Sequence, residues 1–162
     1  MPILRVASLA LVAIWIGGLA VLGMVAAPSV FAVLEQQDPV AGRTLAGLLF
    51  GDIFARFQHL ALFLGAGLIL VLALRALIGP RPRRLGLQLG LVATMLAASV
   101  YTGFVIAPRI DALRADTPAT MASLPETDPR RSEFGRLHGL SNGLMVLTLV
   151  AGLALFWIEA RE

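Results

Sequence analysis

A chain of 162 residues suffices for one domain, yet 58% of it is hydrophobic, only 14% is charged and the mean hydropathy is +0.86, where a water-soluble domain carries about 25% charged residues. This composition excludes an ordinary soluble fold and points to lipid as the solvent. The net charge of +3 arises from 13 Arg and no Lys; no basic run is interleaved with aromatic residues, which sets nucleic acid aside, and the lack of Cys excludes disulfides, thiolate metal sites and cysteine nucleophiles.

A hydrocarbon core of ~30 Å takes roughly 20 apolar residues of helix, and four stretches qualify. The first runs from about Val6 to Ala27 without a charge. Its apolar length exceeds the roughly 7–15 residues of a secretory-signal core, so it reads as a retained helix. Proline pushes the residue before it out of helical geometry, so Ala27-Pro28 reads as a kink or the helix end, with a gating hinge as the second reading. Asp38-Pro39 then supplies an N-cap and a first helical position. Val40 to Phe50 is expected as an amphipathic helix lying in the interface, before Gly51-Asp52 restarts the chain into the second span.

That second span runs from about Ile53 to Ile78, interrupted by Arg56, His59 and Arg75. The third, from about Leu85 to Ala107, is uncharged and is closed by Pro108 as the first is by Pro28. Thr117-Pro118 and Asp128-Pro129 give two more helix starts, the latter opening the fourth span, about Leu137 to Ile158, where His138 is the one group titratable near neutral pH. Trp15 falls mid-span and requires packing, whereas Trp157 suits a bilayer-interface anchor. Gly86 and Gly90, four apart, permit close helix approach.

A shift of eighty residues superposes Gly23-Met24-Val25-Ala26-Ala27-Pro28 on Gly103-Phe104-Val105-Ile106-Ala107-Pro108, and Phe54-Ala55-Arg56-Phe57 on Phe134-Gly135-Arg136-Leu137. A constant offset across both helices of a hairpin indicates a duplication. The expected fold is therefore all-α: one membrane domain, a four-helix transmembrane bundle of two tandem parallel hairpin repeats, about 1–80 and 81–162. The connector Gly79-Pro80-Arg81-Pro82-Arg83-Arg84 is short, basic and free of acid, which predicts cytoplasmic N- and C-termini in the cell (inner) membrane. Arg counts alone are even, six on the proposed inner side and seven on the outer, but the outer seven are diluted by eight acids.

Ionisable groups inside a membrane helix face protein or water. Asp52, Arg56, His59 and Phe63 form one stripe of the second helix, and Phe134, His138, Ser141, Asn142 and Met145 a stripe of the fourth. If both face inward they enclose a polar pocket toward the outer leaflet. His138 is expected at its centre, with Asn142 able to fix one imidazole tautomer and leave the other nitrogen for a proton, metal or solute. The structural alternative is that Arg56 and Arg136 snorkel to phosphates and that the His, Ser and Asn side chains join helices by hydrogen bonds.

The run Arg136-Leu137-His138-Gly139-Leu140-Ser141, together with Trp15-Ile16-Gly17 and Ala107-Pro108-Arg109, resembles the transmembrane protein 205-like family, a domain of unknown function. The resemblance implies a four-span membrane protein and assigns no activity. More distantly, the architecture is similar to the copper-resistance D proteins and the membrane protoporphyrinogen oxidases, which use histidines on bundled helices.

Three functions fit this reading. The first is transport or permeation of a metal ion or small solute past His59, His138, Asn142, Ser141, Arg56 and Arg136. The second is a haem b or copper protein with His59 and His138 as ligands. The third is a non-catalytic subunit of a homo-oligomer or larger membrane complex. The eighty-residue shift sets His59 on Gly139 and His138 on Gln58, one residue out of register and roughly 100° apart around the helix, which disfavours a symmetric two-histidine clamp. No hydrolytic triad, P-loop or zincin motif is present, and no enzyme activity is expected.

Overall fold

In lipid no water competes for backbone groups, so a spanning segment must satisfy its own N–H and C=O groups, which a helix does. The computed structural model describes residues 2–78, 82, 84–117 and 121–161. Among them stand four helices long and apolar enough to cross a bilayer: α1 (Ile3–Gln37), α2 (Ala41–Ile78), α3 (Leu85–Ala115) and α4 (Pro129–Arg161). Arg81, Arg83 and Pro118, used above for orientation and for a helix start, lie outside the described residues.

The helices form a ring in which α1 packs on α2 and α4, and α3 packs on α2 and α4. Thus α1 and α3 occupy one diagonal, and α2 and α4 the other. One end of the bundle, here termed terminal, holds the start of α1 and the end of α4. The distal end holds the α1–α2 and α3–α4 connections.

Each helix contributes an inward stripe at helical spacing. Ser8, Val12, Trp15, Leu19 and Leu22 come from α1, and Gln88, Val92, Met95, Ser99 and Thr102 from α3. Gln58, Ala61, Leu64, Leu68 and Leu72 come from α2, and Leu137, Thr148, Ala151, Leu155 and Glu159 from α4. The buried positions of α1 recur eighty residues later in α3 (8 and 88, 12 and 92, 15 and 95, 19 and 99, 22 and 102). Trp15, mid-span, is fully buried, while Trp157 is exposed and stacks under the Arg161 guanidinium, as suits an interface anchor. Close approach occurs at Gly152, where a Cβ would collide with Ile16 of α1 and crowd Met95 of α3. Gly86 and Gly90 instead face open space, so they serve no contact within the bundle.

Only 22–33% of the most apolar window of each span is buried within the protein. The remaining faces carry Val6, Phe63, Leu70, Leu77 and Val150 outward, an apolar belt that only lipid or another membrane chain can cover. From Arg56 to Arg75 this belt measures about 28 Å along α2 at ~1.5 Å per residue, close to the ~30 Å of a hydrocarbon core. The chain is a multi-pass helical membrane protein.

Two expectations about helix ends require correction. Pro28 and Pro108 do not end their helices, because each follows a π-helical turn, Leu22–Ala26 and Thr102–Ile106, and the helix continues to Gln37 and Ala115. A proline lacks an N–H and its ring clashes with the carbonyl four residues back. The wider turn shifts the ladder before that clash: Ala27 N–H donates to the Leu22 carbonyl and Ala107 N–H to that of Thr102, and Ala27 keeps helical angles (φ −58°, ψ −59°).

Nor is Val40–Phe50 a separate interfacial helix; it belongs to the continuous α2. Asp38 does cap this helix, its carboxylate accepting from the N–H groups of Val40 and Ala41, both at 2.8 Å. Gly51-Asp52 passes without a break because Asp52 is satisfied along the helix by Arg56 at 2.7 Å. Gly47 and Gly51 leave room for Arg114 of α3, which donates to the Gly47 carbonyl at 3.2 Å and lies over the Phe134 ring of α4. Asp128-Pro129 opens α4 as expected, with the Asp128 carboxylate accepting from Arg130 N–H at 2.9 Å.

Candidate functional site

The two polar stripes expected to line a pocket lie on the outside. Asp52, Arg56, His59 and Phe63 are exposed on α2, and His138 and Asn142 on α4; of the α4 stripe, Phe134, Ser141 and Met145 are half-buried, and Ser141 and Met145 turn inward. One residue of offset makes the difference: Gln58 is buried beside His59 and Leu137 beside His138, and a step of one residue turns about 100° around a helix. Lipid does not force His59 and His138 inside, because each sits within one turn of a charged residue, Arg56 or Arg136, where headgroups and water reach.

The outer arginines and the His59 ring nitrogen find partners along their own helices. Arg56 pairs with Asp52, and Arg136 holds Glu133 through two bonds at 2.7 and 2.9 Å. His59 Nδ1 donates to the Ala55 carbonyl at 2.9 Å, and its ring meets Phe104 edge-on. His138 stacks flat on Phe134. The two histidines stand exposed on diagonal helices, and the fold brings them to no common point inside the bundle. Among the described residues no group of three or more His, Asp or Glu could hold a metal ion.

Most of the buried polar side chains are elsewhere, in two clusters. The first is a cavity around the middle of the bundle, lined by Leu19, Phe54, Gln58, Ala98, Ser99, Thr102, Ser141, Leu144, Met145 and Thr148, with contributions from all four helices. It has room for about one water molecule. Gln58 is only 6% exposed, and its amide oxygen has no partner among the described residues. Gly103 admits the Gln58 side chain, and Gly23 faces Met145 across the opposite wall. These two glycines lie in the two π turns, so both turns abut the cavity walls.

The second cluster closes the terminal end. Glu159 of α4 is fully buried and accepts from Ser8 Oγ of α1 at 2.6 Å, from Gln88 Nε2 of α3 at 2.9 Å and from Arg75 Nη1 of α2. Arg5 of α1 donates to the carbonyls of Glu159 and Ala160, placing a cation at the C-terminal end of α4, where orphan carbonyls and the helix dipole favour it. One carboxylate thus draws a donor from each of the other three helices.

Spacing singled out Ser141 and Met145 of the first cluster, on the α4 stripe, but neither Gln58 nor the second cluster. The signal for the second was Arg75 and Glu159, charged groups at the terminal-end limits of two spans, which have no local acid or base to pair with. The signal for the first was Gln58, an amide mid-helix at the register position of the buried Ala61 and Leu68.

Four apolar spans around an apolar core define the class: a multi-pass helical membrane protein, with a small, partly polar cavity between its helices. Residues 10–119 match the family described as a domain of unknown function (DUF4149), about two thirds of the chain, and the protein belongs to that family. The matched segment covers most of α1 and all of α2 and α3, but not α4 with its Arg136–Ser141 run. No curated protein and no solved structure matches the chain.

Proposed function

We propose that the protein handles a small solute, binding it in the Gln58 cavity for passage across the membrane. The observation that carries this reading is the unpartnered amide oxygen of Gln58, nine-tenths buried in a cavity edged by four hydroxyls. A buried polar group without a partner costs about 1–3 kcal/mol, which a bound molecule offsets. The Glu159 cluster seals the terminal end of the same bundle, so passage requires that cluster to open in turn. Reconstitution into liposomes tests this. Flux of small solutes above that of protein-free vesicles, reduced by Gln58→Leu, supports the reading; flux equal to that of protein-free vesicles defeats it.

The metal, copper and haem readings rest on His59 and His138. Their outward placement means that a ligand set would have to be completed by a second chain. Metal analysis and an absorption spectrum of the purified protein test them directly. The resemblance to the transmembrane protein 205-like family adds a four-span architecture to this picture but no activity.

A second reading, a non-catalytic subunit of a larger assembly, is favoured by a different observation. Gly135, Gly139 and Gly143 are exposed on α4 with open space at each, and Asn142 and His138 flank them. Small residues four apart with a neighbouring amide suit close packing of a partner helix in a membrane. Cross-linking at Gly139→Cys in native membranes tests it, and a chain that stays uncross-linked to any protein counts against it.

Two further proposals concern architecture. The recurrence of the π turns and of the buried positions of α1 and α3 at an offset of eighty residues supports a tandem duplication. The arginine-dense connector supports cytoplasmic termini.

A further inference from the structure

The chemistry of the cavity wall sets what it can hold. Five neutral polar side chains face it, Gln58, Ser99, Thr102, Ser141 and Thr148, and among the described residues no charged one lines it. An ion placed there would leave water without a countercharge, which strongly disfavours it. The direction of the hydrogen bonds narrows the choice. Thr148 spends its hydroxyl proton on the Leu144 carbonyl at 2.9 Å, so it offers only lone pairs inward. The Gln58 amide oxygen is likewise an acceptor with nothing to accept from.

We infer that the Gln58 cavity selects an uncharged hydrogen-bond donor of water-to-formamide size, held by the acceptors of Gln58 and Thr148, and rejects ions. The inference rests on the reading of this cavity as a ligand site. Water fits the space as it stands. A molecule with two or three more heavy atoms fits if the wall gives at Met145, an unbranched side chain that repacks readily and whose end lies against Gly23.

The full-length protein in lipid nanodiscs, with glutamine side-chain amides observed by NMR, provides the test. Gln58→Leu identifies the Gln58 signal by its loss. The expected result is cross-relaxation between the Gln58 amide and water, a saturable shift on adding formamide, and no saturable response to rubidium chloride or zinc chloride. Thr148→Val, which keeps the shape of the wall, should weaken the formamide response about fivefold, as loss of one hydrogen bond implies. Silence toward both water and formamide would reduce the cavity to a packing gap and overturn the inference; a saturable response to either cation would overturn it as well. Formamide binding without liposome flux would sink the transport reading alone. Flux with an unresponsive Gln58 would sink the ligand class alone.

Discussion

Arg75 near the end of α2 reaches across the bundle axis to Glu159 near the end of α4, although these two helices occupy opposite corners of the ring. Ser8 and Gln88, on the other diagonal, donate to the same carboxylate. Glu159 thereby holds both diagonals at once. The contact keeps all four helices in register at one end, a task that an apolar core cannot perform in lipid, where burying hydrocarbon against hydrocarbon gains little.

Removing one partner of such a pair is expected to be worse than removing both. Glu159→Leu takes the buried carboxylate away from the Arg75 guanidinium, a loss of about 3–5 kcal/mol. The double change Arg75→Met with Glu159→Leu should recover part of that, because an apolar pair of similar volume needs no countercharge, while Ser8 and Gln88 still lose their shared acceptor. Thermal unfolding in detergent, read as a four-member mutant cycle, measures it. Additive losses would show that Arg75 and Glu159 do not stabilise the bundle through each other.

Leu137 and His138 are sequence neighbours with opposite expected behaviour. Leu137 is buried, and Leu137→Ala should cost about 2–4 kcal/mol through its lost packing. His138 is exposed and stacks only on Phe134 of its own helix, so His138→Ala should stay within about 0.5 kcal/mol. Melting curves of the two variants side by side decide the matter. A large loss at His138 would place it in an interface between chains.

That pair also shows how far the sequence was legible. Four spans follow from hydropathy alone, because lipid demands unbroken apolar helix, and the structure has them. The Asp38 and Asp128 caps follow from local chemistry that depends on no distant contact. The inward faces did not follow. In water, polarity marks the outside of a helix; in lipid both faces are apolar, and a few polar groups can belong to either. Ranking His59 and His138 above Gln58 gave weight to titratable groups, yet beside Arg56 and Arg136 they reach the headgroups, whereas Gln58 cannot. The π turns were equally hidden, since Ala-Pro reads as a helix stop unless the ladder is known to widen before it.

The caps give a pH dependence with a definite sign. Hydrogen bonds from the Ala41 and Val40 N–H groups hold the Asp38 carboxyl below its ordinary value, and the Arg130 side chain and N–H do the same for Asp128. A depressed carboxylate contributes stability above its unfolded pKa and loses it as pH falls through the folded one. The starts of α2 and α4 should therefore fray only in acid below the ordinary aspartate range. Amide exchange of Ala41 and Arg130 against pH tests this, with Asp38→Asn and Asp128→Asn flattening the profile. Fraying that begins near neutral pH would exclude these two carboxylates as its cause.

The orientation of the bundle can be decided by chemistry at the link between α2 and α3. The chain has no Cys, so a single introduced thiol reports without background. Pro82→Cys places it in the arginine-dense connector while keeping every Arg that the positive-inside tendency counts. Cytoplasmic termini predict that a membrane-impermeant maleimide leaves this thiol unlabelled in intact cells and modifies it after permeabilisation. A second thiol at Ser123, exposed in the α3–α4 connection at the distal end, should show the opposite pattern. Labelling of Pro82→Cys from outside intact cells, with Ser123→Cys protected, would invert the topology. The Gln58 cavity and the Glu159 cluster would then exchange the compartments they face.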